Sequence, residues 1–147
     1  IRYAWLDSGI EDYPRATYDG YLYEQETGFN DDGSPMTNVF IESSDFEVGE
    51  GEQFAYIQRM FPDFKFLSNS SEGKVNLVLK TRDNSGETLS TNSTSSVGST
   101  TGQINLRSRS RQAVLRVESD DDDTTGNDNV GWRLGATRLD IKSDGRR

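Results

Sequence analysis

QINLRSRSRQAVLRVES, residues 103–119, is the stretch whose pattern decides the fold. Its side chains alternate with a period of two, the signature of a strand with one covered face. Ile104 and Leu106 share one face, and Arg107, Arg109 and Arg111 share the other. From Ala113 onward the apolar residues Ala113, Leu115 and Val117 fall at the odd positions, where the arginines stood. A period-two pattern cannot change phase without an extra residue or a change of sheet. The pattern therefore predicts a bulge or a sheet change near residues 110–112.

Working outward, Val75, Leu77 and Leu79 alternate with Lys74, Asn76, Lys80 and Arg82 in a second half-buried strand, with Val78 as the exception. Residues 54–61 are apolar on both parities. Phe54, Tyr56 and Met60 stand on one face and Ala55, Ile57 and Phe61 on the other, so this strand is expected to be covered on both sides. Pro62 ends it, and Phe64 and Phe66 begin another short element. Downstream, Trp132, Leu134, Leu139 and Ile141 predict a final strand with a face switch at Gly135. Upstream, residues 1–6, 21–23, 39–41 and 45–48 read as strands, and Asp19-Gly20 as a turn. Residues 83–101 are rich in Ser, Thr, Asn and Gly, and are expected to form a flexible loop projecting from a hairpin. No convincing helix emerges. Short strands punctuated by turns predict an all-β fold, an antiparallel β-sandwich or small barrel with long loops.

Composition removes several kinds of chemistry. The 147 residues contain no Cys and no His. Disulfides and thiolate metal sites are excluded, as are the usual general base near neutral pH and the commonest metal ligand. No apolar run approaches the roughly 20 residues of a membrane-spanning helix. The chain opens on Ile1 without an initiator Met and reads as a piece of something longer.

The net charge of −9 is unevenly placed. Residues 1–60 hold 13 acids and 3 bases, residues 61–100 hold 4 of each, and residues 101–147 hold 8 acids and 9 bases. Such a chain is poorly suited to gripping nucleic acid, which requires Lys and Arg to displace counterions. The acidic first segment reads either as a solvated surface or as a wall past which DNA slides without sticking.

Three groups of residues are candidate sites. The row Arg107, Arg109 and Arg111 is either an exposed face with scattered carboxylate pairs or a contact between subunits, because guanidinium forks recognise carboxylates well. Phosphate binding by this row is disfavoured by the acidity of the chain and by the lack of interleaved aromatics. Asp121, Asp123 and Asp128, in an acidic turn, are weak candidates for a cation bound through oxygen. The EF-hand pattern fails there, since its twelfth position is Trp132. Glu24 and Glu26 pair as glycosidase carboxylates do, but 25 acids make such pairs common by chance. No catalytic residues and no cofactor are predicted.

A further series of stretches runs in order along the chain: residues 18–24 (YDGYLYE), Glu26-Thr27-Gly28 with Asp31-Asp32-Gly33, and Ile41-Glu42-Ser43. It continues through 59–64 (RMFPDF), 107–112 (RSRSRQ), 131–135 (GWRLG) and 144–147 (DGRR). Together these resemble the C-terminal region of tail structural proteins of short-tailed bacteriophages, of the nozzle or tail-tubular type. That family often has Gly where this chain has Ser110, so the local bend differs.

The resemblance implies a non-enzymatic virion component, assembled in the host cytoplasm. Identical subunits would form a ring beside other tail or portal proteins, around a channel through which DNA passes without specific binding. It also implies that residues 1–37 are the terminal strands of a preceding, propeller-like β domain and that 38–147 form a C-terminal sandwich. No membrane contact is expected. The alternative from another class is a carbohydrate- or receptor-binding sandwich of an adhesin or tail fibre. It is disfavoured because most aromatics are expected inside apolar strands, and the 83–101 stretch has none.

Overall fold

The computed structural model describes residues 4–7, 12–31, 34–36, 39–48, 51–67, 73–120 and 131–146. Among them there are only strands and connections, and no helix. The three-stranded sheet nearest the N-terminus runs β1 (Ala4–Leu6), β2 (Arg15–Tyr18), β3 (Tyr21–Glu24). Two-residue strands β4 (Asn30–Asp31) and β5 (Ser34–Pro35) pair with each other. The sandwich follows. Its first sheet has the order β11 (Ser90–Gly98), β10 (Lys74–Arg82), β13 (Gln112–Ser119), β6 (Phe40–Glu42), and β7 (Phe46–Glu47) also pairs with β13. Its second sheet is β12 (Ile104–Ser110), β8 (Gln53–Phe61), β15 (Arg138–Arg146). A small ribbon of β9 (Phe64–Phe66) and β14 (Trp132–Leu134) closes one end. All pairings are antiparallel.

The core lies between the two larger sheets. Val75, Leu77 and Leu79 of β10, with Ala113 and Val117 of β13, face Ile57 and Met60 of β8 and Ile104 and Leu106 of β12. The predicted phase change is a change of sheet. β12 ends at Ser110 in the second sheet, and β13 begins at Gln112 in the first. One residue, Arg111, carries the chain across, so the inward parity switches from even to odd. The inward path of β12 continues past its apolar residues to Ser108 and Ser110, both almost fully buried, with hydroxyls that have no partner. The switch expected at Gly135 is also a change of sheet, from β14 to β15. A side chain at Gly135 would collide with the carboxylate of Asp63, whose backbone carbonyl accepts from Gly135 N at 2.7 Å.

Two expectations need correction. First, β8 is covered on both faces only in part: on the outer face Phe54 is buried, but Tyr56 is half-buried and Phe61 is exposed. Ile57 and Met60, of opposite parity, are both 0% exposed. On β15, Asp140 pairs with Arg59 and the next residue, Ile141, pairs with Ile57, which skips Gln58. The register against β12 shifts at the same place. This bulge moves the strand half a period, so the core takes apolar residues of both parities. Second, residues 83–101 are not one long loop. Residues 90–98 form edge strand β11, paired along β10. Backbone pairing needs no apolar side chain, and an edge strand needs only one covered face. Val97 opposite Val75 supplies most of that cover, while Thr91, Thr94 and Ser96 meet solvent.

Between β2 and β3, Asp19 and Gly20 both have positive φ, 47° and 82°, the tight hairpin turn that the Asp-Gly pair signals. The pairing register places Trp5, Ala16, Tyr18, Tyr21 and Tyr23 on one face of this sheet. Only the alanine at its centre is buried. None of the larger strand-to-strand contacts joins this sheet to the sandwich.

Candidate functional site

The bulge and the sheet change together set the arginine row. On β12, exposed Arg107 and Arg109 alternate with buried Leu106, Ser108 and Ser110. Arg107 sits in the register shift with a φ of 51°, a conformation that side-chain-bearing residues adopt at a cost. Arg109 is held within the chain. Its Nε donates to Asp144 Oδ2 at 2.5 Å and its Nη2 donates to the Asp144 carbonyl at 3.1 Å. Its guanidinium also lies 3.9 Å from the centre of the Phe54 ring. Arg111 approaches the same ring at 5.2 Å, and its Nε is buried without an acceptor. Phe54 points outward from the sandwich yet is only 5% exposed, because these arginines cover it. Among the described residues no ion pair involves Arg107 or Arg111. The row is thus not three equivalent cations.

The same outer face continues onto β8 and β15. Arg59 donates to Asp140 at 2.9 Å and lies 5.4 Å from the Phe61 ring. Lys142 donates to Gln58 at 3.2 Å, and Arg138, opposite Phe61, is exposed. Six bases meet two acids here, a net charge of +4 on a chain whose total is −9. Arg59, Arg138 and Lys142 escape a sequence reading because they lie on strands far apart in sequence. Only the pairing of β8 with both β12 and β15 gathers them. The aromatics missing from the sequence reading are also here, since Phe54, Tyr56 and Phe61 lie among the cations.

The opposite outer face, on the first sheet, is internally balanced. Glu42 accepts from Lys80 at 2.5 Å and from Arg116 at 3.5 Å, and Arg116 also donates to Glu118 at 2.6 Å. The Arg116 guanidinium stacks 3.6 Å above Phe40, and Arg82 pairs with Asp45. The Lys80 hydrogen bond holds the Glu42 carboxyl below its ordinary range, and the Glu118 hydrogen bond raises Arg116.

No family model, curated protein or solved structure matches this chain.

The remaining candidates contribute less. Asp121, Asp123 and Asp128 lie outside the described residues. Glu24 is paired with Arg15 at 3.1 Å, which leaves little of a carboxylate dyad with Glu26. An open cavity of about 340 Å³ near Trp132 is lined by Phe29, Met36, Val39, Ile41 and Leu67. Trp132 is fixed there by its Nε1 donating to Ser119 Oγ at 2.9 Å. Among the described residues no helix is long and apolar enough to cross a membrane.

Proposed function

We propose that this chain is a structural segment of a bacteriophage tail, part of the wall of a ring-shaped DNA conduit built by self-association. The observation that carries this reading is the basic outer face of β12, β8 and β15 on an otherwise acidic chain. A basic face on a chain whose other segments carry an acidic surplus supplies the opposite charges that give head-to-tail contact between identical copies its specificity. The ordered resemblance to nozzle and tail-tubular proteins supports the same reading and supplies the remaining partners, adjacent tail or portal proteins in the virion. The acidic surplus elsewhere fits a lining that repels the DNA backbone and keeps it moving. The role involves no chemistry and no cofactor. Electron microscopy of the assembled protein tests it: closed rings around a central channel are expected, and particles without a channel overturn it.

A second reading, a carbohydrate- or receptor-binding module of an adhesin or tail fibre, gains from one observation. Trp5, Tyr18 and Tyr21 are 53%, 48% and 69% exposed, contrary to the expectation that the aromatics are mostly internal. A glycan array probed with this chain and with Trp5→Ala tests it. Binding lost in the variant is expected if the module reads sugars, and an array blank for both chains excludes it for the glycans displayed.

A further inference from the structure

We infer that the aromatic face of sheet β1-β2-β3 in one copy seats on the outer face of sheet β12-β8-β15 in the next copy. The inference rests on the self-association proposed above and names the two surfaces that meet. Among the described residues the aromatic face is largely open: Trp5, Tyr18 and Tyr21 stand around Ala16 with roughly half or more of their surface in solvent, and Tyr23 beside them is half-buried. Rings bury 150–250 Å² each when covered, so leaving several exposed on one small sheet forgoes much apolar burial.

Charge identifies what covers them. Residues 4–28 hold Asp7, Glu11, Asp12, Asp19 and Glu26 beside the Arg15–Glu24 pair, which lies on the sheet's other face and cancels itself, a net −5. The receiving face carries +4, with Tyr56 and partly exposed Phe61 amid its cations. Apolar centres ringed by complementary charge are the usual anatomy of a specific contact. The first sheet's outer face offers no such surplus, because Lys80, Arg82 and Arg116 already meet carboxylates. A sugar is a poorer occupant. The Tyr21 and Tyr23 rings stand edge to face, 62° apart, a knobbed surface instead of the flat shelf on which a pyranose stacks. Because the two surfaces differ, the contact repeats from copy to copy and closes into a ring when the rotation allows.

The absence of cysteine makes the test clean. Thr27→Cys, three residues beyond β3, and Asn105→Cys, on the outer side of β12, both exposed, are prepared separately in the full chain, mixed, allowed to associate and treated with a short bismaleimide linker. Cross-linked dimer in the mixture at ten or more times the yield of either variant alone is the expected result. In parallel, Arg107→Glu with Arg138→Glu should weaken association at least tenfold by sedimentation, with the unfolding midpoint unchanged. If the chain associates but the mixture gives no excess and the charge variant no weakening, this contact is wrong while self-association stands. A chain monomeric at every concentration overturns both.

Discussion

The two outer faces of the sandwich sit back to back on one core and treat charge in opposite ways. On the first sheet, Glu42 serves Lys80 and Arg116 together, Glu118 serves Arg116, and Asp45 serves Arg82. On the second sheet, Asp140 and Asp144 serve Arg59 and Arg109, while Arg107, Arg111, Arg138 and Lys142 have no carboxylate among the described residues. A face whose charges are matched locally is complete in water. A face with an unmatched surplus repels itself and is offset by counterions or by an acidic partner. The contrast teaches that the arginine row matters through its surroundings: the same residue type is structural at Arg109 and available at Arg107.

The contrast breaks most completely when the core between the faces is damaged. Leu77 is 1% exposed on the inward side of the first sheet. Leu77→Ala should lower stability by about 3 kcal/mol, read as a shifted urea midpoint. A change below about 1 kcal/mol would mean that the two sheets are not packed on each other as described. Next in size is Val97→Ala on β11, expected to cost on the order of 2 kcal/mol by the same measurement. A silent substitution would return residues 90–98 to the loop expected from their composition.

Those two residues also mark how far the sequence can be read. The alternation of Val75, Leu77 and Leu79 is enough to announce a half-buried strand, and the phase change after Arg111 is enough to announce a bulge or a sheet change. Strand β11 is hidden because an edge strand needs few apolar side chains, and Val97 is its single deeply buried one. The bulge at Gln58 is hidden because period-two reading assigns Ile57 and Met60 to opposite faces. Arg109 can be placed on an outward face, but its partner Asp144 is 35 residues away and is supplied by the pairing of β12 and β15 with β8. The N-terminal aromatics read as strand interior, since nothing in a local pattern tells whether a face is covered.

Smaller effects sharpen the comparison. Arg107→Glu with Arg138→Glu should reduce association at least tenfold, or by about 1.4 kcal/mol or more, and raised salt should weaken the wild-type contact in the same direction. Glu42→Gln, on the balanced face, should cost only about 0.5 kcal/mol of stability and leave association unchanged. Its pH dependence has a definite sign. The Glu42 carboxyl is held below its ordinary value of 4.5, chiefly by the Lys80 hydrogen bond. Its contribution is therefore fully present above that value and is lost as pH falls through the lower folded pKa. Wild type and variant should converge in acid, and a stability gap that persists there would deny Glu42 that role.

The central claim is that one basic face makes this chain associate head to tail, and sedimentation velocity across a concentration series tests it most directly. The account predicts that monomer passes to a single larger closed species, with little dimer between, and that salt shifts the transition to higher concentration. A chain that stays monomeric throughout, or that stops at a salt-insensitive dimer, would contradict it.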